Sequence, residues 1–370
     1  MTVTHEEARE AAQEAEKAVV QGAELPALHG LPFSVKDSTL TKGVRTTFGS
    51  AIMAKFVPDR DAVPVARAKQ AGGILIGKTT TPEFEHKIHT STVDGGLTLN
   101  PYHPGVTCGG SSGGAAVAIA TGMGPLALGT DGGGSVRIPA SCCGVVGLKP
   151  TLGRIPDPDA PNLFAGTSHI GPMARDVEST RLLFTAIQGF TKDDPYGQAA
   201  LPPARRREDM RGLRVAWMPR CGNEVVDEDV ARLSRDAVAH MDAMGASVDE
   251  IELDFAGLEP TFFVFMETKV YRTLAPHIDS FRDRIDPTIL PHFENGSRYT
   301  ARDYVDALAV RSEMFKEVQS VFARFDVIAS PTAAAPPLPH EQDPHGRLNI
   351  NGQQAGRVRQ SWYRTLSVST

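Results

Sequence analysis

The segment from Asp131 to Ser135, Asp-Gly-Gly-Gly-Ser, combines three bare backbone positions with a hydroxyl. Consecutive glycines let successive N–H groups turn into one concavity, a nest that suits a negative oxygen. A serine ending such a nest is placed to attack a carbonyl while the same N–H groups hold the oxyanion. A purely structural glycine turn is the plain alternative. A phosphate loop is a third reading, weakened because GxxxxGK[ST] occurs nowhere in the chain. Upstream, Gly109-Gly110-Ser111-Ser112-Gly113 matches the G-x-S-x-G nucleophile elbow. That motif follows a buried strand, whereas here Asn100–Gly105 precedes it and reads as a loop. Ser111 and Ser112 then stand at the start of a small-residue helix, where one of them could simply cap it. A serine also needs a base. His103 and His169 are candidates, and so is Lys36, which ends the apolar run Gly-Leu-Pro-Phe-Ser-Val before Asp37. Burial lowers a lysine's pKa and frees it to take a proton. An ion pair with Asp37 at the surface is the alternative for Lys36.

Positioning these groups falls to alternating helices and strands. The Thr4–Glu7 spacing is that of a capping box and predicts a helix to about Gln21. Strands are predicted at Leu31–Val35, Gly73–Gly77, Leu126–Leu128, Leu213–Met218, Ser247–Leu253 and Asp326–Ala329. Helices are predicted at Asp61–Gln70, Gly113–Thr121, Asp176–Gln188, Asp227–Met244, Pro260–Ala275 and Ala301–Ala323. Ala333–Arg359 reads as loop. Apolar strands between helices predict an α/β fold with a mixed, mainly parallel sheet covered on both faces.

With 41% hydrophobic residues, a net charge of -6 and a pI of about 6.0, the chain has no basic field to draw nucleic acid. Arg205-Arg206-Arg207 is followed at once by Glu208-Asp209 and reads as a solvated loop. Cys108, Cys142, Cys143 and Cys221 form no CxxC pair and have no zinc-ligand spacing, which predicts reduced thiols, a cytoplasmic location and no metal. The acidic first 25 residues carry no apolar signal segment, and nowhere do 18 apolar residues run together.

Lys36 in GLPFSVKD, Ser111 in GGSSGG and Ser135 in GTDGGGSVRIPAS together resemble the amidase signature family. The likeness continues through GKTTTPEF at Gly77–Phe84, CGVVGLKPTLGRIP at Cys143–Pro156, GPMARDV at Gly171–Val177 and VIASPT at Val327–Thr332. It implies a single α/β/α domain over residues 1–370. It implies that Ser135 is the nucleophile of an acyl-enzyme amidase, that Ser111, joined to Gly110 by a cis bond, bridges protons, and that Lys36 is the base. The N–H groups of Gly132, Gly133, Gly134 and Ser135 then form the oxyanion hole, while Ser112, Asp131 and Arg137 support the loop. No cofactor is implied. The expected partner is a small-molecule amide, met along Phe164–Ile170 and around Thr261–Glu267; neither direct nucleic-acid binding nor a membrane is expected, and a homodimer is allowed. The alternatives are a catalytic subunit of amidotransferase type, working on glutamyl-tRNA, and a catalytically silent assembly subunit. Relative to the family the chain is expected to be shortened at both ends, with Leu366–Ser369 alternating like the opening of a strand.

Overall fold

The computed structural model describes residues 1–370 apart from 93–95, 203–207, 256–257, 344–345 and 358–370. The basic run Arg205–Arg207 and the strand-like Leu366–Ser369 lie outside the described residues. Contacts group the chain into two compact units: Met1–Pro203 with Arg272–Pro291, and Ala204–Tyr271 with His292–Thr370.

The first unit is built on strands β1 (Pro32–Lys36), β2 (Ile74–Thr79), β3 (Ser91–Thr92), β4 (Gly96–Leu97), β5 (Leu126–Asp131), β6 (Val146–Gly147) and β7 (His169–Ala174). Five of them form a sheet in the order β2-β1-β5-β7-β6, and β3 with β4 forms a small hairpin. β1 pairs in parallel with β2 and β5, whereas β7 runs antiparallel to both β5 and β6. The sheet is therefore mixed, with only β7 against the rest. Among its helices are α1 (His5–Val20), α2 (Val63–Gln70), α3 (Gly113–Ala120), α4 (Arg137–Cys142) and α5 (Val177–Ile187).

Phe33 and Val35 of β1, Leu126 and Leu128 of β5, and Ile170 of β7 meet Val65 and Ala68 of α2 and Leu183 and Ile187 of α5 in one core. Burying each large apolar side chain contributes roughly 1.5–3 kcal/mol. Alternation along β1 turns Ser34 and Lys36 to the opposite face, where α3 packs on β1, β5 and β7. The small residues of α3 allow a close approach. A Cβ on Gly114 would lie 2.4 Å from the backbone nitrogen of Thr80 and 2.7 Å from its carbonyl oxygen. We expect Gly114→Ala to cost about 1–3 kcal/mol, because a backbone neighbour yields less than a side chain. A urea midpoint equal to that of the parent protein would overturn this.

The second unit holds β8 (Arg214–Trp217), β9 (Ser247–Glu250) and β10 (Val327–Ala329), all parallel in the order β10-β8-β9, with α6 (Glu228–Ala243), most of the helix Leu258–Leu274 and the helix Ala301–Phe322. Met218, Cys221, Phe255, Met314 and Val318 make a core there. Asp227 caps α6 by accepting from the amides of Asp229 and Val230.

Two expectations fail locally. The Thr4 capping box is not made: the Thr4 hydroxyl donates to the Leu75 carbonyl at 2.7 Å, because the chain entering α1 is bonded along β2. Nor is Ala333–Arg359 all loop. Strands β11 (Arg347–Ile350) and β12 (Gln353–Arg357) form a hairpin there. Its turn is Asn351-Gly352, at φ values of 52° and 74°, the pair that a two-residue hairpin turn prefers.

Candidate active site

The C-terminal ends of the parallel strands β1, β2 and β5 lie at one edge of the sheet, the usual ligand edge of an α/β fold. β1 delivers Lys36 to that edge with no solvent exposure. A buried ammonium needs partners. Lys36 Nζ donates to Ser111 Oγ at 2.6 Å and to Thr130 Oγ1 at 2.7 Å, and Glu85 Oε1 lies 2.9 Å away. The Asp37 alternative does not hold. Asp37 turns to Thr47 on its own side of the strand, while Lys36 points to Ser111.

Ser111 and Ser112 are both fully buried at the entry to α3, and the Gly110–Ser111 peptide is cis. Ser112 occupies the N-cap position of α3 without capping it. Its hydroxyl instead bridges the amide and carbonyl of Thr130 at 3.2 Å each. Its amide donates to the carbonyl of Ser135 at 3.1 Å, so the two serine-bearing turns are stitched together. Ser135 itself is half-buried.

Between them, Asp131 organises the glycine turn. Its carboxylate is fully buried and accepts from the amides of Gly134 at 2.6 Å and Val136 at 3.1 Å. Arg137 meets it with Nε and Nη2, each at 2.9 Å. Burial alone would raise the Asp131 pKa, but Arg137 and these amides together hold it well below the usual carboxylate range. The turn narrows the expected oxyanion hole. The Gly134 amide, at a φ of 106° that suits glycine, is committed to Asp131. The amides of Gly132, Gly133 and Ser135 are not among those Asp131 takes.

The two histidine candidates bond backbone groups rather than either serine. His103 is exposed, and its Nδ1 accepts from the Gly105 amide. His169 starts β7 directly across from Asp131 and bonds the Asp131 carbonyl through Nδ1 at 3.1 Å. Burial, assisted by Lys149, pushes its pKa down to about 4 against the pull of Asp131. An unfolded histidine titrates near 6.5, so the unfolded chain takes up this proton first. Stability is then lost as pH falls from about 6.5 to about 4, by about 3 kcal/mol. We expect His169→Gln to flatten the unfolding free energy across that window in urea titrations; an equal slope in both proteins would show that another group carries it.

Lys78 is a second buried lysine, with its pKa pushed down to about 7 by burial. Its Nζ donates to the Thr39 carbonyl, Thr41 Oγ1 and Thr46 Oγ1, and none of these partners is a serine. The four cysteines are buried thiols with no disulfide. Burial pushes the Cys108 thiol up to about 12, which leaves it protonated and unreactive. Among the described residues no cluster could hold a metal ion, and no helix is long and apolar enough to cross a membrane.

Thr130 and Glu85 are the site residues that sequence reasoning missed. Thr130 stands beside Asp131 and carries no separate signal. Glu85 lies just beyond the GKTTTPEF segment. Of the expected pocket, Phe164 is 75% exposed. Glu267 is buried in the second unit, where it accepts from His292, Asn295 and Tyr299.

A family model described as Amidase matches residues 1–353. The chain is 35% identical over 326 residues to the acylamidase of Rhodococcus erythropolis, covering 87% of this chain and 68% of the relative. It is 34% identical over 365 residues to a glutamyl-tRNA(Gln) amidotransferase subunit of Geobacillus kaustophilus (strain HTA426), covering 91% and 75%. The crystal structure of a bacterial aryl acylamidase of the amidase signature family superposes with a TM-score of 0.88 at 24% identity, over 98% of this chain and 79% of that one. At that identity the likeness speaks to the fold.

Proposed function

Because this chain belongs to the amidase family and is a hydrolase of amides, we propose that it cleaves a small linear amide through an acyl-enzyme on Ser135. The observation that carries the reading is the contact of 2.6 Å between the fully buried Lys36 Nζ and Ser111 Oγ, on a turn bonded to the turn of Ser135.

In this mechanism Ser111 passes its own proton to neutral Lys36 and takes the proton of Ser135. The Ser135 oxygen bonds to the carbonyl carbon, and the amides of Gly132, Gly133 and Ser135 hold the resulting oxyanion. Collapse breaks the carbon–nitrogen bond. The proton held by Lys36 returns through Ser111 to the leaving nitrogen, and the amine departs. Water then attacks the ester by the same route, releasing the acid and restoring Ser135. Asp131 and Arg137 take no chemical step; they hold the turn. The chain's own residues suffice for these steps without a cofactor.

The acylamidase relative points to acyl amides as the substrate class. The 34% identity of this chain to an amidotransferase component supports a second reading, in which the same site releases ammonia for a partner protein. The test is labelling with a fluorophosphonate, peptide mapping, and turnover on a panel of aryl, acyl and primary amides. We expect one adduct, on the peptide containing Ser135, and release of amine from an acyl amide. A folded protein that labels nowhere and turns over nothing would favour a silent assembly role. Activity confined to glutamine or another primary amide would favour the amidotransferase reading.

A further inference from the structure

Glu85 is the charged group around Lys36 that the proposed proton route leaves unused. Its Oε1 lies 2.9 Å from Lys36 Nζ, accepts from Ser38 Oγ at 2.9 Å, and also accepts from Thr130 Oγ1. Its side chain is 19% exposed, while that of Lys36 has no exposure. Glu85 also sits at a φ of 65°, next to Phe84 at 45°, a left-handed pair that side chains rarely adopt. A glutamate held in that conformation and aimed at a buried lysine indicates a tertiary demand on this position.

An alkylammonium has three N–H donors, a neutral amine only two. Around Lys36 three acceptors converge: Ser111 Oγ, Thr130 Oγ1 and Glu85 Oε1. They come from three separate elements, the turn before α3, the end of β5 and the turn after β2. Of the three, only the Glu85 oxygen carries charge. The neighbouring charges are engaged elsewhere: Asp131 with Arg137, and Asp37 with Thr47 on the far side of β1. We infer that Glu85 is a positioning residue that holds Lys36 as an ammonium in the resting enzyme and thereby sets how alkaline the medium must be before Ser111 can hand it a proton.

This inference rests on Lys36 being the base. To enter turnover from that resting state, Lys36 must lose a proton to solvent base, and the carboxylate at 2.9 Å opposes that loss. Thr130 bonds both groups, which keeps the pair in register. Glu85 touches neither substrate nor nucleophile in this scheme, so it acts only through Lys36.

The experiment compares the full-length parent protein with Glu85→Gln and Glu85→Gly. Glutamine keeps the acceptor and removes the charge. Glycine takes a φ of 65° without strain, so that variant gains backbone ease against the loss of the carboxylate, and far-UV circular dichroism checks the fold of both variants. Two readouts are followed against pH: the rate of fluorophosphonate acylation, and the ¹⁵Nζ resonance of Lys36, assigned by its absence in Lys36→Met. We expect both the acid limb of the rate and the Lys36 titration midpoint to move down by about 1–3 pH units in both variants, the usual effect of one adjacent opposite charge. The alkaline plateau should stay within a few-fold of the parent. A limb and midpoint that stay in place in both variants overturn the inference, as does a plateau that collapses with the midpoint unmoved. Failure of the base assignment has its own signature, because Lys36→Met would then acylate as fast as the parent while the Lys36 resonance still reported on Glu85.

Discussion

Ser135→Ala should abolish both covalent labelling and amide turnover, while Lys36→Ala and Ser111→Ala should each lower kcat by roughly 10²–10⁴-fold, the usual worth of positioned proton transfer. The arrangement predicts more than the single effects. Lys36 and Ser111 are joined by one hydrogen bond of 2.6 Å, and in the proposed mechanism they serve one proton path. Removing both should cost little more than removing either, since groups that act as a unit are not additive. Ser112→Ala should be milder in kcat. Its hydroxyl is spent on the backbone of Thr130, and its bond to Ser135 runs through the main chain, which alanine retains. The checks are steady-state kinetics on an acyl amide and single-turnover acylation, with far-UV circular dichroism to confirm the fold. Near-normal turnover in Lys36→Ala would falsify the triad.

The second large effect is expected at Asp131. Asp131→Asn leaves the Arg137 guanidinium facing a neutral amide at a position with no solvent exposure. It also replaces one carboxylate oxygen by an N–H₂ group, which cannot accept from the Gly134 or Val136 amide it faces. Breaking one side of a buried pair costs about 3–5 kcal/mol. Arg137 retains 19% side-chain exposure, so the lower end of that range is expected. The pH dependence has a definite sign. The folded pKa of Asp131 is depressed, so its contribution is fully present above the unfolded value of about 3.9 and is lost as pH falls toward the folded one. Urea unfolding at pH 7 measures the loss. Arg137→Met placed on top of Asp131→Asn should recover part of it, because the uncompensated cation is then gone. If Asp131→Asn unfolds within about 1 kcal/mol of the parent, the turn does not depend on this carboxylate. Turnover should fall along with stability, since the Gly132–Ser135 amides lose the anchor that aims them.

What can be read along the chain is local. The run from Pro32 to Lys36 is apolar and short, so a strand ending on the lysine follows from side-chain pattern alone. The small residues of α3 and the three glycines before Ser135 declare close packing and a tight turn, because steric freedom belongs to the residue itself. The same holds for the alternation of strands and helices and for the family motifs. The Asn351-Gly352 hairpin turn is equally local in signal, but it is masked inside a stretch rich in Pro, Gly and Gln. The partners of the site are not local. Whether Lys36 meets Asp37 or Ser111 depends on which face of β1 lies under α3, and that depends on Phe33 and Val35 finding α2 and α5. Thr130 reaches Lys36 because β5 pairs with β1, 94 residues away in sequence. Glu85 reaches it from a turn in the left-handed region, which residue type does not announce. The Gly134 amide is likewise withdrawn from the nest by a carboxylate that folds back on its own turn under the pull of Arg137. Residue chemistry and spacing thus decided which groups could react. The alignment of three strand ends at one sheet edge decided which of them touch, because hydrogen bonds and ion pairs act over a few ångströms and only tertiary packing sets distances that short between residues so far apart in the chain.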